Sequence, residues 1–299
     1  MLLLDAVRKY GWTGLVGTQP NGHNYFVDEN HAQALDANDG VHGQTQETPF
    51  ATVAYAITQN NAAFALDAYA QNTIFIAAST YTENLTAFPK NCTVIGIGSK
   101  TRIQGYHSVS AAQNCRFHNI KFRGGLASTP LLTIGGSSHG ISFIDCEFES
   151  QTTVSAMLYF TGSSSDIVIK NCKIGLQTAV GNSPTVCIHF AGVHAQRANI
   201  ENNQIYSTGV GIQFDATMVS GNHLVVKGNI IAASPGSTDS QMTAGIYDKT
   251  ACIHGGLFVG NYIGAADAIK FDASGNKTQW VCMGNWVNEA ATAAFEDAI

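Results

Sequence analysis

The chain has 299 residues, of which 12% are charged, with 15 Lys and Arg against 21 Asp and Glu for a formal charge of −6; a usual charged fraction is about 25%. It contains no Lys/Arg run of the kind that marks a nucleic-acid partner, and no apolar stretch near the ~18 residues of a membrane span, so neither partner is expected. The 45% apolar content and 30 glycines suit a long core wrapped by strands and tight turns.

Residues 1–10 lack a charged leader before the apolar run, and Asp5 interrupts that run. They read as a short amphipathic helix rather than a signal peptide, and residues 1–23 as an arm. Two readings stay open for the arm: docking onto a partner, or packing on the chain itself. Residues 24–69 read as a lead-in strand, a turn and a cap helix. Pro49 suits a first helical turn with Thr48 as its cap, and Phe50, Val53, Ala54 and Ile57 share one helical face. The cluster Asp36, Asn38, Asp39 and Gly40 has the chemistry of Asx turns; it lacks the bidentate Glu of an EF-hand. No metal or other cofactor is expected.

From residue 70 onward a register repeats: apolar, any, polar, ladder residue, any, apolar. It runs through Phe117–Phe122, Phe143–Phe148 and Ile169–Ile174, with looser copies to Val287. The ladder residues are Ile120, Cys146, Cys172, Asn203, Asn229, Asn261 and Asn285, spaced by 26, 26, 31, 26, 32 and 24 residues. Short alternating apolar runs at that period predict stacked strands in a solenoid, each repeat burying its inward face only against its neighbours. Asn side chains stacked about 4.8 Å apart can bond up and down the stack. The longer spacings place insertions near 177–185 and 234–243, where working loops commonly lie. Residues 288–299 are rich in helix formers and read as a C-terminal cap.

Seven cysteines without a Cys-x-x-Cys favour neither a disulfide framework nor zinc. They read as reduced core fillers, as free Cys behaves, in a chain folded in a reducing cytoplasm.

The coil length, the apolar spacing and the Asn ladder resemble the right-handed parallel β-helices of the pectate-lyase-like superfamily, over about residues 70–290. Tyr25–Asp28, Leu35–Gly40 and Thr48–Ile57 resemble the lead-in of secreted and phage-encoded members. The resemblance implies an all-β fold: a right-handed single-stranded parallel β-helix of about seven to eight coils over residues 70–287, with an N-terminal cap helix and a short helical C-terminal cap. It leaves function open, because the same scaffold carries enzymes and inert particle proteins.

The hydrolase signatures of that superfamily are absent apart from Ser138-His139-Gly140. Of the late carboxylates Asp215, Asp239, Asp248, Asp267 and Asp272, the pair Asp215 and Asp248 each follow an aromatic residue at what read as matching points of successive repeats. Stacking can bring such a pair to the roughly 5–9.5 Å that glycosidases use, so these two are the catalytic candidates; exposed turn-forming carboxylates are the other reading. His189, His194 and Arg197 flank one turn and are the candidates for binding an anionic sugar. Two functions remain. One is a structural bacteriophage virion protein, a head decoration or tail-associated β-helix. It would be homotrimeric, attached to other virion proteins through residues 1–20, located in the virion, and in contact with host-surface polysaccharide. The other is a polysaccharide lyase or glycoside hydrolase, free or as a tailspike depolymerase. The trimer is expected from outward apolar rows, for which Phe160, Phe190, Phe214 and Phe271 are the candidates.

Overall fold

The computed structural model describes residues 22–177, 181–192, 194–215, 220–234, 242–249, 253–271 and 280–287. The arm over 1–21, the cap over 288–299, and Asp239, Asp272 and Cys252 lie outside them. The described residues are 50% strand and 6% helix. Among the described residues the strands form one sheet of twenty and one of seven. Every pairing between named strands is parallel, each repeat adding strands beside those of the repeat before, as in a solenoid.

Period-2 alternation places one column of side chains inward and the next outward. In the long sheet the column Val94, Phe117, Phe143, Ile169, Ile200, Val226, Phe258 is in register from strand to strand, and all seven are buried. Its aromatic members stack: the Phe117 and Phe143 rings lie 5.4 Å apart at 16°. In the second sheet Phe160, Phe190 and Phe214 form a column, with ring centroids 4.8 and 5.2 Å apart. These three are buried inward, which corrects their candidacy for an outward apolar row; the Phe271 side chain lies outside the described residues. Burial of each such side chain contributes about 1.5–3 kcal/mol.

Two left-handed corners five residues apart flank the short strands of the long sheet. One holds Asn119, Asp145, Asn171, Asn202, Gly228, Gly260 and Gly284; the other holds Asn91, Asn114, Gly140, Asp166, Arg197 and His223. Positive φ favours Gly, Asn and Asp, which explains the polar slot before each ladder residue. The ladder follows the first corner. Asn203 Nδ2 donates to Ile169 O at 2.9 Å and to Asn229 Oδ1 at 2.9 Å, and Asn229 Oδ1 also accepts the Asn203 backbone N–H at 2.9 Å. Asn229 and Asn261 repeat this pattern, and Asn285 keeps its carbonyl bond, Nδ2 donating to Phe258 O. Cys146 and Cys172 keep only the donor half, with thiols 3.4 Å from Phe117 O and Phe143 O. Ile120 is buried in register with Gly98. Cys92, Cys115, Cys146, Cys172 and Cys187 are buried free thiols, whereas Cys282 is exposed.

The helix spans Val53–Leu66 and is capped by Thr52, four residues later than the cap read from the sequence. Phe50 is held extended instead by pairing with Val27 and by bonds to Phe26 and Asp28. Two carboxylates complete the helix N-terminus. Asp36 accepts from Ala51 N and Thr52 N. Glu83, from the first repeats, accepts from Val53 N at 2.9 Å and Ala54 N at 2.8 Å. Negative charge at this end also complements the helix dipole. Val53, Ala56, Ile57 and Asn60 are its buried face. The Asp36–Gly40 cluster is thereby engaged in capping and turns, with Asp39 accepting from Val41 N and His42 N. Among the described residues no group of His, Cys, Asp and Glu is placed to hold a metal.

Candidate functional site

The outward column of the second sheet runs Ser108, Thr133, Tyr159, His189, Gln213, Tyr247, Lys270. It changes from small hydroxyl residues to aromatic and ionisable ones within a few strand spacings. Ala156, Val186 and Val210 form an apolar floor beside it, against which Tyr159 and Tyr247 pack. Tyr159 leans on His189 with ring centroids 4.9 Å apart. Lys249 and Lys270 approach the Tyr247 ring at 5.4 and 4.9 Å from its centroid, close enough for cation–π attraction.

His189 is the hub. Its Nε2 lies 3.2 Å from Asp215 Oδ2 and 3.0 Å from the Gln213 amide. Asp215 directly follows the strand Val210–Phe214, so it meets His189 diagonally across neighbouring strands. A bare Nε2 accepts from the Gln213 amide nitrogen, whereas a protonated Nε2 donates to the carboxylate. With Nε2 bare, the carboxylate would face a lone pair. Burial holds His189 below the ordinary histidine value; the Asp215 carboxylate opposes that shift and the Lys249 ammonium adds to it. The ring is therefore neutral near pH 7, with one polarised N–H. A neutral imidazole paired to a half-exposed carboxylate can donate, accept or relay a proton to a ligand on this face.

The sequence candidates are dispersed differently from the expectation. Asp248 is in register with Phe214, not with Asp215. That one-residue offset turns it to the other face: Asp248 is 0% exposed, while the Asp215 side chain is 30% exposed. The supposition that these two occupy matching points is thus corrected, and Asp215 is joined with His189 instead. Asp267 opens the last strand of the sheet, in register with Ala244. His194 lies in the strand His194–Gln196 of the long sheet, away from this column. Arg197 occupies a corner of that sheet and grips Asp166, its Nε and Nη2 donating to Oδ1 and Oδ2 at 2.5 and 2.7 Å. These bonds hold the Asp166 carboxyl below its ordinary value. His139 pairs within the long sheet beside Ser165. Tyr159, Gln213, Tyr247, Lys249 and Lys270 were not singled out in the sequence; the available signal, which Lys249 does not share, was the offset of three residues of the other four from the strand starts Ala156, Val210, Ala244 and Asp267.

The sequence matches no protein-family model and no curated protein.

Proposed function

We propose that the chain is a right-handed parallel β-helix of the pectate-lyase-like kind that serves as a structural bacteriophage virion protein and holds host-surface glycan on the outer face of its second sheet. The observation that carries this reading is the outward column Tyr159, His189, Gln213, Tyr247 with Asp215 beside it. Sugars are bound by aromatic faces and by planar polar groups that pair with hydroxyls, and here both alternate at strand spacing, about 4.8 Å, on a rigid support. The repeat register, the Asn ladder and the lead-in support the architecture. Association of identical chains finds its support in a different surface from the Phe rows. Ile230, Tyr262 and Trp286 are in register on the outside and are 43%, 46% and 75% exposed. The same outward column holds Lys121, Glu147, Lys173 and Gln204 in earlier repeats.

Binding to an array of bacterial surface polysaccharides tests the reading. Wild type is expected to bind and His189→Ala to lose binding without a change in melting temperature. Failure of wild type to bind any glycan sinks the glycan part, and absence of the chain from purified particles at fixed stoichiometry sinks the virion part. The second reading, a polysaccharide lyase or hydrolase, is favoured by the His189–Asp215 pair alone. It prevails if a bound polysaccharide is shortened and Asp215→Asn stops the shortening.

A further inference from the structure

A groove of about 420 Å³ runs along the other left-handed corner of the long sheet, on strands distinct from those of the Tyr159–Tyr247 column. Its frame is locked. Asn72 donates to Asn60 Oδ1 at 2.9 Å and accepts from His23 N at 2.8 Å. Asn91 donates to Ala70 O at 2.7 Å, and Asp166 is held by Arg197. Five further lining side chains, Gln71, Thr93, Asn114, Arg116 and Ser142, make no hydrogen bond or ion pair within the described residues. Arg116 is exposed, and its register neighbours on the two flanking strands are the hydroxyl residues Thr93 and Ser142. The corner column supplies the opening. At Gly140, φ +66, an added Cβ would stand 2.3 Å from Asn114 Oδ1, so any side chain there encroaches on the groove. The equivalent corners hold Asn or Asp at 91, 114 and 166; the gap is peculiar to this repeat.

We propose that this groove is a second ligand site and that its ligand is a carboxylate-bearing sugar. A guanidinium with five donors in a planar fork matches a carboxylate in two parallel bonds. Two amides and two hydroxyls, each able to donate and accept, match the vicinal hydroxyls of the ring. Asp166 does not repel the ligand's charge strongly, because Arg197 already neutralises it. The floor is rigid sheet, so little ordering entropy opposes binding.

The test is a saturation-transfer NMR titration of the full chain with glucuronate, glucose and inorganic phosphate, the first two differing only in the carboxylate. Glucuronate is expected to bind, and glucose at least about tenfold more weakly. Arg116→Gln is expected to bring glucuronate down to the glucose level. Gly140→Asn retains a residue type that this corner accepts and is expected to abolish binding of both sugars. The titration is repeated on His189→Ala, which removes any signal from the Tyr159–Tyr247 face, and the preference for glucuronate over glucose is expected to persist there. The proposal is overturned if glucuronate does not bind, if glucose binds equally well, or if phosphate displaces glucuronate at equal concentration. It is also overturned if Arg116→Gln leaves the affinity unaltered, or if His189→Ala rather than Arg116→Gln removes binding, which would place the sugar on the Tyr159–Tyr247 face. Should Gly140→Asn fail to fold, Arg116→Gln decides.

Discussion

Replacing Asn229 by Leu removes a side chain that serves two neighbouring repeats, and the damage is calculable bond by bond. Its Oδ1 accepts the Asn203 backbone N–H at 2.9 Å, and its Nδ2 donates to Ile200 O at 2.9 Å. Both partners are buried, so water does not replace the lost bonds. Each orphaned group costs about 1–3 kcal/mol, giving roughly 2–6 kcal/mol for the two. The Asn203 amide keeps Ile169 O through its own Nδ2, and Asn261 keeps both bonds to Asn285. The loss is therefore directional, falling on the preceding repeat. Cys172→Ala is the control: it removes two weak thiol contacts, at 3.4 and 3.3 Å, and orphans no backbone N–H, at a cost of about 1 kcal/mol. Hydrogen exchange reads this residue by residue. In Asn229→Leu the Asn203 amide should exchange at least about tenfold faster, tenfold being about 1.4 kcal/mol, with Asn261 unchanged. Equal acceleration at 203 and 261, or equal destabilisation by the Leu and Ala variants, would refute the reasoning.

His107 is buried, accepts the Leu85 N–H on Nδ1 at 3.1 Å, and is pushed down by burial from 6.5 to about 4. The unfolded chain then binds a proton that the native one refuses, so stability present above pH 6.5 falls as pH drops toward 4, by roughly 3 kcal/mol at most. His107→Asn, which retains an acceptor for Leu85, should flatten that part of a denaturation midpoint-versus-pH curve; an unchanged slope would contradict this. Asp215→Asn should weaken glycan binding and leave melting unaltered, whereas the inward Asp248→Asn should shift melting and leave binding unaltered. The reverse outcome, from binding isotherms and calorimetry on both variants, would invalidate the assignment of faces. Glu83→Ala strips acceptors from Val53 and Ala54 and should cost about 1–3 kcal/mol, with proteolysis at residues 50–66 accelerated; protease resistance equal to wild type would show the helix is held by packing alone.

The stacked parallel architecture was legible because inward Phe, Ile and Val recur with period 2 inside a longer repeat. That signal survives tolerance at every other position. The corners were half legible: Asn, Asp and Gly announce positive φ, but Arg197 and His223 carry no such signature and take the conformation from their stacked neighbours. The site was misgrouped for a geometric reason. Asp215 and Asp248 both follow an aromatic residue, which looks equivalent along the chain. Aligning Ile212 with Ile246 shows the offset of one, and in a strand one residue is the difference between core and surface. The pairing of His189 with Asp215 depends on the distance between adjacent strands and has no trace in local spacing.

The registers that link Leu132 to Leu158, Ser138 to Ser164 and Ser142 to Val168 all span 26 residues. A chain joined from Ser138 directly to Ser165 would therefore present every remaining column to its proper neighbour. The molecule behaves as a ruler with gradations of about 4.8 Å. Its reach can be set by the number of gradations, gained or lost whole by unequal recombination, while the chemistry displayed on distant ones stays where it was.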